Sequence, residues 1–315
     1  MADKDPNEEK NDEYIISEPS VENAVNSALS QFSEGEIVKN EKKEIFNPDD
    51  LKKAPKIDAN DLFKVIFMGG MPEFYDNPEI DRNLYFQNYI DTYIDRDVRQ
   101  LIEVGKLEEF KKFMVSIASR IGEQLNYSDI AKDCGVSVPT IISWVSVLVS
   151  SGIVYLLEPY MSSQLKRMTH IPKIYFMDTG LAAYLAGWEN ERDLQLSSVS
   201  GHYLENFVVC EIIKSYNARG LKPNLSYYRD KEKHEIDLVL YKNNKLYPFE
   251  IKKTASPNSS MISNFKYLEN SKKEIATGGI ICLYDNLMKL DDKNFIIPIS
   301  LSLIHISEPT RHAQI

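Results

Sequence analysis

Four residues in the second half of the chain have the types and spacing that chemistry needs: Glu205, Asp237, Glu250 and Lys252. At 100° per residue the segment Tyr203–Tyr216 reads as a helix. Glu205 falls on one side of it with Val208, Val209, Ile212 and Tyr216, while Glu211 and Lys214 point away. A carboxylate on an apolar face needs a partner, because burying an unpaired charge is costly. In HEIDLVLY (234–241), strand alternation puts Asp237 with Val239 and sets Ile236, Leu238 and Leu240 on the other face. In KLYPFEIKK (245–253), Glu250 and Lys252 share the face opposite Tyr247, Phe249 and Ile251. The turn KNNK joins the two runs, so a hairpin is expected, with Asp237 brought near Glu250.

Carboxylates that converge repel one another unless a cation lies between them. All-oxygen ligands of this kind suit Mg²⁺ or Mn²⁺, and a neighbouring lysine can orient water or stabilise charge on a phosphorane-like transition state. A plain salt-bridged cluster, in which Lys252 alone neutralises the acids, fits the same spacing equally well. Both readings stay open at this point.

The elements that must position these residues follow from patterning. DANDLFKVIFMGGMPEFY (58–75) starts with a capping Asp or Asn, runs as helix through Phe67 and stops at Gly69-Gly70 before Pro72. DRNLYFQNYIDTYIDRDVRQLI (81–102) places Leu84, Tyr85, Tyr89, Tyr93 and Ile94 on an inward stripe with Asp and Arg outside. From Gln124 to Tyr160 the grammar is helix-turn-helix: Ser128 caps a short helix with Ile130 and Ala131 inward, CGVS turns, and Ser137 caps a second helix with Pro139 in its first turn. GIVYLLEPY then supplies the first strand of a wing. The second helix, Val138–Val149, holds no Lys, Arg, Asn or Gln to address base edges, and offers only Thr140, Ser143 and Ser146. Lys166 and Arg167 follow the wing within reach of phosphate. A wing that packs against protein is at least as well supported as one that reads DNA. Beyond Ile171, strand-like runs separated by polar turns accompany the helix that carries Glu205.

Asp237 followed by Glu250-Ile251-Lys252, with Glu205 on an earlier helix, resembles the D…(D/E)xK signature of the PD-(D/E)XK nuclease superfamily. The ordered motifs GGMPEFY, YIDTYIDRDVRQLI, PKIYFMDTGLAAYL, LENFVVCEIIKSY and YYRDKEKHEIDLVL, with the helix-turn-helix between them, resemble the C-terminal two-thirds of prokaryotic AAA-type ATP-binding proteins that end in the domain of unknown function numbered 4143. The likeness runs from about Asn60 to Ser300. It implies an α+β multidomain chain: a helical AAA lid-like segment (56–118), a winged helix (119–165) and a PD-(D/E)XK nuclease-like α/β domain (166–300). It also implies Mg²⁺- or Mn²⁺-dependent cleavage of nucleic acid, with Asp237, Glu250 and Glu205 as metal ligands and Lys252 catalytic. The alternative is a degenerate nuclease fold that binds nucleic acid or a protein partner through the winged helix. No GxxxxGK[ST] phosphate loop occurs, so ATP is expected only with an upstream core, and this chain is not expected to hydrolyse it alone.

The ends and the composition set the remaining bounds. Residues 1–40 hold ten acids against three lysines, so most of the net charge of −10 sits there, and 1–55 reads as an acidic tail. The stretch LSLIHISEPTR and the following HAQI (301–315) read as a translated sequencing adapter of the kind met in metagenomic genes. Without the phosphate loop, either the gene begins inside a longer one or the chain is a natural variant without its motor, and the adapter-like end favours an N-terminally incomplete gene. Three distant cysteines exclude a disulfide scaffold. No apolar run reaches membrane-span length and no basic, apolar leader opens the chain, so a cytoplasmic location without membrane contact is expected.

Overall fold

The computed structural model describes residues 57–98, 106–161 and 171–300. The acidic tail, Lys166, Arg167 and the adapter-like 301–315 lie outside the described residues. The architecture is α+β. Helices α1 (Ala59–Met68), α2 (Glu73–Asp76) and α3 (Arg82–Tyr93, continuing as a π-turn over Ile94–Val98) lead to α4 (Leu107–Ala118), α5 (Tyr127–Cys134) and α6 (Val138–Ser150). Strands β1 (Val154–Leu157) and β2 (Lys173–Phe176) follow, then α7 (Thr179–Leu185), α8 (Glu191–Leu196) and the long α9 (Ser200–Ala218).

Asp58 caps α1, accepting from the Asn60 and Asp61 amides at 2.8 Å each, and Gly69 ends it at φ +84°. A Cβ at Gly69 would overlap the Asp178 carboxylate, and one at Gly180 would overlap the Met68 carbonyl, so only glycines let these backbones meet. Asp178 takes advantage of that closeness: it accepts from Gly70 N at 2.7 Å and caps α7 through Leu181 N at 2.8 Å.

The inward stripe of α3 differs from the expected one. Phe86, Ile90, Tyr93 and Ile94 are buried, but Leu84 is 55% exposed and Arg82 points inward. Its guanidinium lies 3.8 Å from the Phe67 ring centroid and donates to the carbonyls of Phe67 (3.0 Å) and Gly180 (2.9 Å). The planar fork donates to two backbone carbonyls at once, which outweighs the preference of arginine for water.

Asn126, not Ser128, caps α5, accepting from the Ser128 and Asp129 amides at 3.1 and 3.3 Å. Ile130 and Ala131 are buried as expected, Gly135 turns the chain in the left-handed region, and Ser137 caps α6. The two helices meet at 102°, within the range of helix-turn-helix pairs. The exposed side of α6 presents Ile142, Ser143, Ser146 and Val149. No single helix among the described residues is long and apolar enough to cross a membrane.

The strand that follows pairs across the boundary drawn at 165/166: β1 runs antiparallel to β2, with Val154 opposite Phe176 and Leu157 opposite Lys173. A seven-stranded mixed sheet completes the chain, from β3 (Leu225–Arg229), β4 (Glu235–Lys242), β5 (Lys245–Lys252), β6 (Glu274–Ile275), β7 (Gly278–Cys282), β8 (Met288–Lys289) and β9 (Asn294–Pro298). Its order is β3-β4-β5-β7-β9-β8, with β6 beside β5. The β3–β4 and β4–β5 pairs are antiparallel, whereas β5–β7 and β7–β9 are parallel. A 3₁₀ segment, Ser259–Ser271, makes the connection between β5 and β7 that a parallel pair requires. Its buried Ile262, Phe265 and Leu268 recur every third residue, the repeat of a 3₁₀ turn, and pack with Ile236, Val239, Leu246 and Ile280.

Replacing Arg82 with methionine keeps the apolar stem and removes the bonds to the Phe67 and Gly180 carbonyls. The expected loss is about 2–4 kcal/mol, visible as a lowered thermal midpoint; an unchanged midpoint would rule out this clamp.

Candidate functional site

The β4–β5 hairpin turns on Asn243 and Asn244, at φ +51° and +61°, the left-handed pair a two-residue hairpin turn needs. With Lys242 opposite Lys245 the register is fixed, and it runs up to Leu238 opposite Phe249. One step further along that register sets Asp237 across from Glu250. There the side chains take over from the ladder: Asp237 Oδ2 accepts from the Ile251 amide at 2.8 Å and from Lys252 Nζ at 2.8 Å. Lys252 Nζ also reaches Glu250 Oε2 at 2.6 Å. Asp237, Glu250 and Lys252 therefore form one bonded group.

Glu205 stands beside it in a second group. Asn206, fully buried, clasps the backbone of Phe176, accepting from its amide at 2.7 Å and donating to its carbonyl at 2.8 Å. That clasp fixes the register of α9 against the end of β2. Lys173 and Tyr175, two apart on β2, consequently both face Glu205. Lys173 Nζ lies 2.8 Å and the Tyr175 hydroxyl 2.6 Å from Glu205 Oε1. Lys173 also meets Glu235 Oε1 at 2.6 Å, and Arg229 meets the other oxygen of Glu235 at 2.5 Å. The partner required by Glu205 is thus Lys173, from a strand far earlier in the chain, and not Lys252.

Burial sets the protonation. Burial and the neighbouring Asp237 push the Glu250 carboxyl up to about 9, against the pull of Lys252. Burial would raise Asp237 too, but Lys252, Lys173 and the Ile251 amide outweigh it and hold that carboxyl below its ordinary value. Burial raises Glu205, with Lys173 opposing. Burial disfavours the charged forms of Lys173 and Lys252, yet the surrounding carboxylates win and keep both ammonium groups protonated.

Among the described residues two buried side-chain oxygens lack a hydrogen-bond partner, the Tyr203 hydroxyl and, in this cluster, Glu250 Oε1. Such an atom is rare in a folded chain and calls for a cause. Asp237 and Glu250 offer only carboxylate oxygens, which fits a hard divalent cation. Asp237 and Lys252 reach into a cleft of about 500 Å³, whose lining includes Gly122–Gln124, Gly201, His202, Glu205 and Lys253. A tighter group of ligand-type atoms lies elsewhere, in the β3–β4 turn, where those of Asp230, Glu232 and His234 fall within 4.8 Å of one another. That turn is explained without an ion, since Asp230 accepts from the Glu232 and His234 amides and from the His234 ring.

Residues 59–192 match the family described as Domain of unknown function (DUF8612), and residues 200–302 match Domain of unknown function (DUF4143). The division between the two matches falls just before α9. Two curated relatives, the uncharacterized proteins Rv2008c of Mycobacterium tuberculosis and Mb2031c of Mycobacterium bovis, are each 29% identical over 194 residues, covering 61% of this chain. The chain matches only 43% of their length. Among solved structures, VC1899 of Vibrio cholerae is 14% identical and covers 72% of this chain and 52% of its own, with a TM-score of 0.23.

Two outcomes follow from the charges. Lys173→Met leaves Glu205 and Glu235 without their shared cation in a buried layer and is expected to cost about 3–5 kcal/mol. Lys252→Met should cost less, because that side chain is 37% exposed and water can replace it; comparable losses in denaturant titrations would contradict this ranking. The second outcome concerns pH. A carboxyl raised in the folded state destabilises as pH climbs from its unfolded value, about 4.3, toward its folded one. For Glu250 that window closes near 9. Glu250→Gln, which can accept from Lys252 and donate to Asp237, should therefore melt above the wild type in chelator. The gap should widen from pH 5 to 9 and reach on the order of 1 kcal/mol or more, about 2–4 °C. A gap that narrows with pH would overturn the assignment.

Proposed function

We propose that the chain is part of an AAA-type ATP-binding protein whose sheet domain is a PD-(D/E)XK-like, metal-dependent nuclease and whose α5–α6–β1–β2 unit is a winged helix. The observation that carries the nuclease reading is the orphaned, buried Glu250 Oε1 beside Asp237 and Lys252. The match to DUF4143 supports the AAA-type assignment.

Asp237 and Glu250 would hold Mg²⁺ or Mn²⁺, which supplies Lewis-acid polarisation of a phosphoryl oxygen and an activated water. Lys252, freed from one of its two carboxylates, places a positive charge at the cleft floor where phosphoryl oxygens gain charge. Asp237 stays ionised and keeps the Ile251 amide and the Lys252 ammonium oriented. Glu205, held by Lys173 and Tyr175, completes the acidic wall and fixes how far α9 stands from the hairpin.

A second reading, a module that holds nucleic acid or protein without cutting, is favoured by the face of α6. Its exposed Ile142, Ser143, Ser146 and Val149 carry no charge to meet phosphate, and protein is the better-matched partner for such a face.

Calorimetric titration of the full chain with Mn²⁺ separates the two. Saturable binding lost in Asp237→Asn, together with cleavage lost in Lys252→Ala and an unchanged circular dichroism spectrum, is expected for the nuclease. Absence of binding by folded wild type would leave the non-cutting module.

A further inference from the structure

Two groups of carboxylates meet at the cleft, and their supply of cations differs. Asp237 and Glu250 share one ammonium, that of Lys252, at 2.8 and 2.6 Å. Glu205 and Glu235 have two cations between them, Lys173 and Arg229. Two ionised carboxylates against one cation can still accept positive charge, whereas two against two are already matched.

The place of Lys173 matters as much as the count. Its Nζ lies 2.8 Å from Glu205 Oε1 and 2.6 Å from Glu235 Oε1, so carboxylate oxygens from α9 and β4 converge on one point. Convergent carboxylate oxygens are what a hard divalent cation takes. Lys173, Glu205, Glu235 and Asp237 line the same cleft, so both groups of acids serve one space. Sites that set acids side by side for phosphoryl chemistry can hold two metal ions about 3.5–4 Å apart. Here a cation tethered to the chain already stands between the acids of the second group. Its strand is held in place, with Gly122 N donating to Ile174 O at 2.8 Å and Ile174 N to Glu123 O at 3.1 Å.

Building on the nuclease reading for the ion at Asp237 and Glu250, we infer that the cleft takes one divalent ion because the Lys173 ammonium occupies the place of a second, between Glu205 and Glu235. Glu205 is then a partner of the lysine and a positioning residue, not a ligand of the metal. Taking the ammonium away should let those two acids capture a divalent ion from solution.

Calorimetric titration of the full chain with Mn²⁺ should give one saturable site in the wild type and two in Lys173→Ala, the additional one lost again in Lys173→Ala/Glu235→Gln. Saturating Mn²⁺ should also raise the thermal midpoint of Lys173→Ala by at least about 5 °C more than that of the wild type, since an added ligand stabilises the folded state. A second ion in the wild type that Glu235→Gln abolishes would overturn the inference and leave the nuclease reading standing. So would a folded Lys173→Ala that gains no ion. Should that variant unfold, recovery of its circular dichroism spectrum on adding Mn²⁺ would sustain the inference, and no recovery would count against it. No site in the wild type, with one gained in Lys173→Ala, would sink the nuclease reading while upholding the role of Lys173.

Discussion

Lys173 carries one ammonium into a layer where Glu205 and Glu235 both touch it and Asp237 lies within its field. It is only 4% exposed, so water contributes little and the carboxylates must supply the whole of its solvation. Removing an ion from water costs several kcal/mol even after relaxation, and only close, well-bonded partners offset that. The geometry meets this demand from three directions at once: β2 brings the lysine, α9 brings Glu205, and β4 brings Glu235. None of these elements can slide without opening a buried ion pair. The Asn206 clasp on Phe176 does the same work with neutral groups, and together they pin α9 and β2 to the sheet.

That constraint reaches the helical half of the chain. The strand bearing Lys173 is also the partner of β1, and the Gly122–Leu125 segment is bonded to it. Tyr160 and Glu158, just after β1, exchange backbone bonds with Tyr227 on β3. The α5–α6 unit is therefore joined to the large sheet by shared strands rather than by a tether. Arg82 and the Gly69–Asp178 contact tie α1 and α3 to α7 in turn. A single buried lysine is thus common to the β1–β2 pair, the long helix α9 and the carboxylate cluster at the sheet.

What could be read from sequence divides along the same line. The meeting of Asp237 with Glu250 and Lys252 was legible because the hairpin turn is two residues long and alternation has a fixed period. Register over so short a loop leaves almost no freedom. The burial of Glu205 was legible from helical periodicity, but its partner was not: Lys173 lies thirty-two residues earlier, and β2 reads as an ordinary apolar strand with a polar first residue. Nothing local marks a lysine as one that will be covered on all sides. Arg82 was misplaced for a related reason, since its burial depends on the carbonyls of Phe67 and Gly180, and only the first is near it in sequence. The cap of α5 shows the smaller kind of error, where Asn126 and Ser128 are both good caps and tertiary packing selects the earlier one.

The cluster around Lys252 holds two carboxylates and one ammonium. With Glu250 raised to about 9, the group at neutral pH is an ionised Asp237, a protonated Glu250 that can donate to it, and a charged lysine, electrically balanced. An amide at 250 would keep the bonds to Lys252 and Asp237 without a group that must lose a proton as pH rises. In the nuclease reading, a divalent ion bound by Asp237 and Glu250 would take the place of the Glu250 proton and use both carboxylates as ligands. Metal entry and proton exit are then the same event, as for any site whose ligands must ionise to bind.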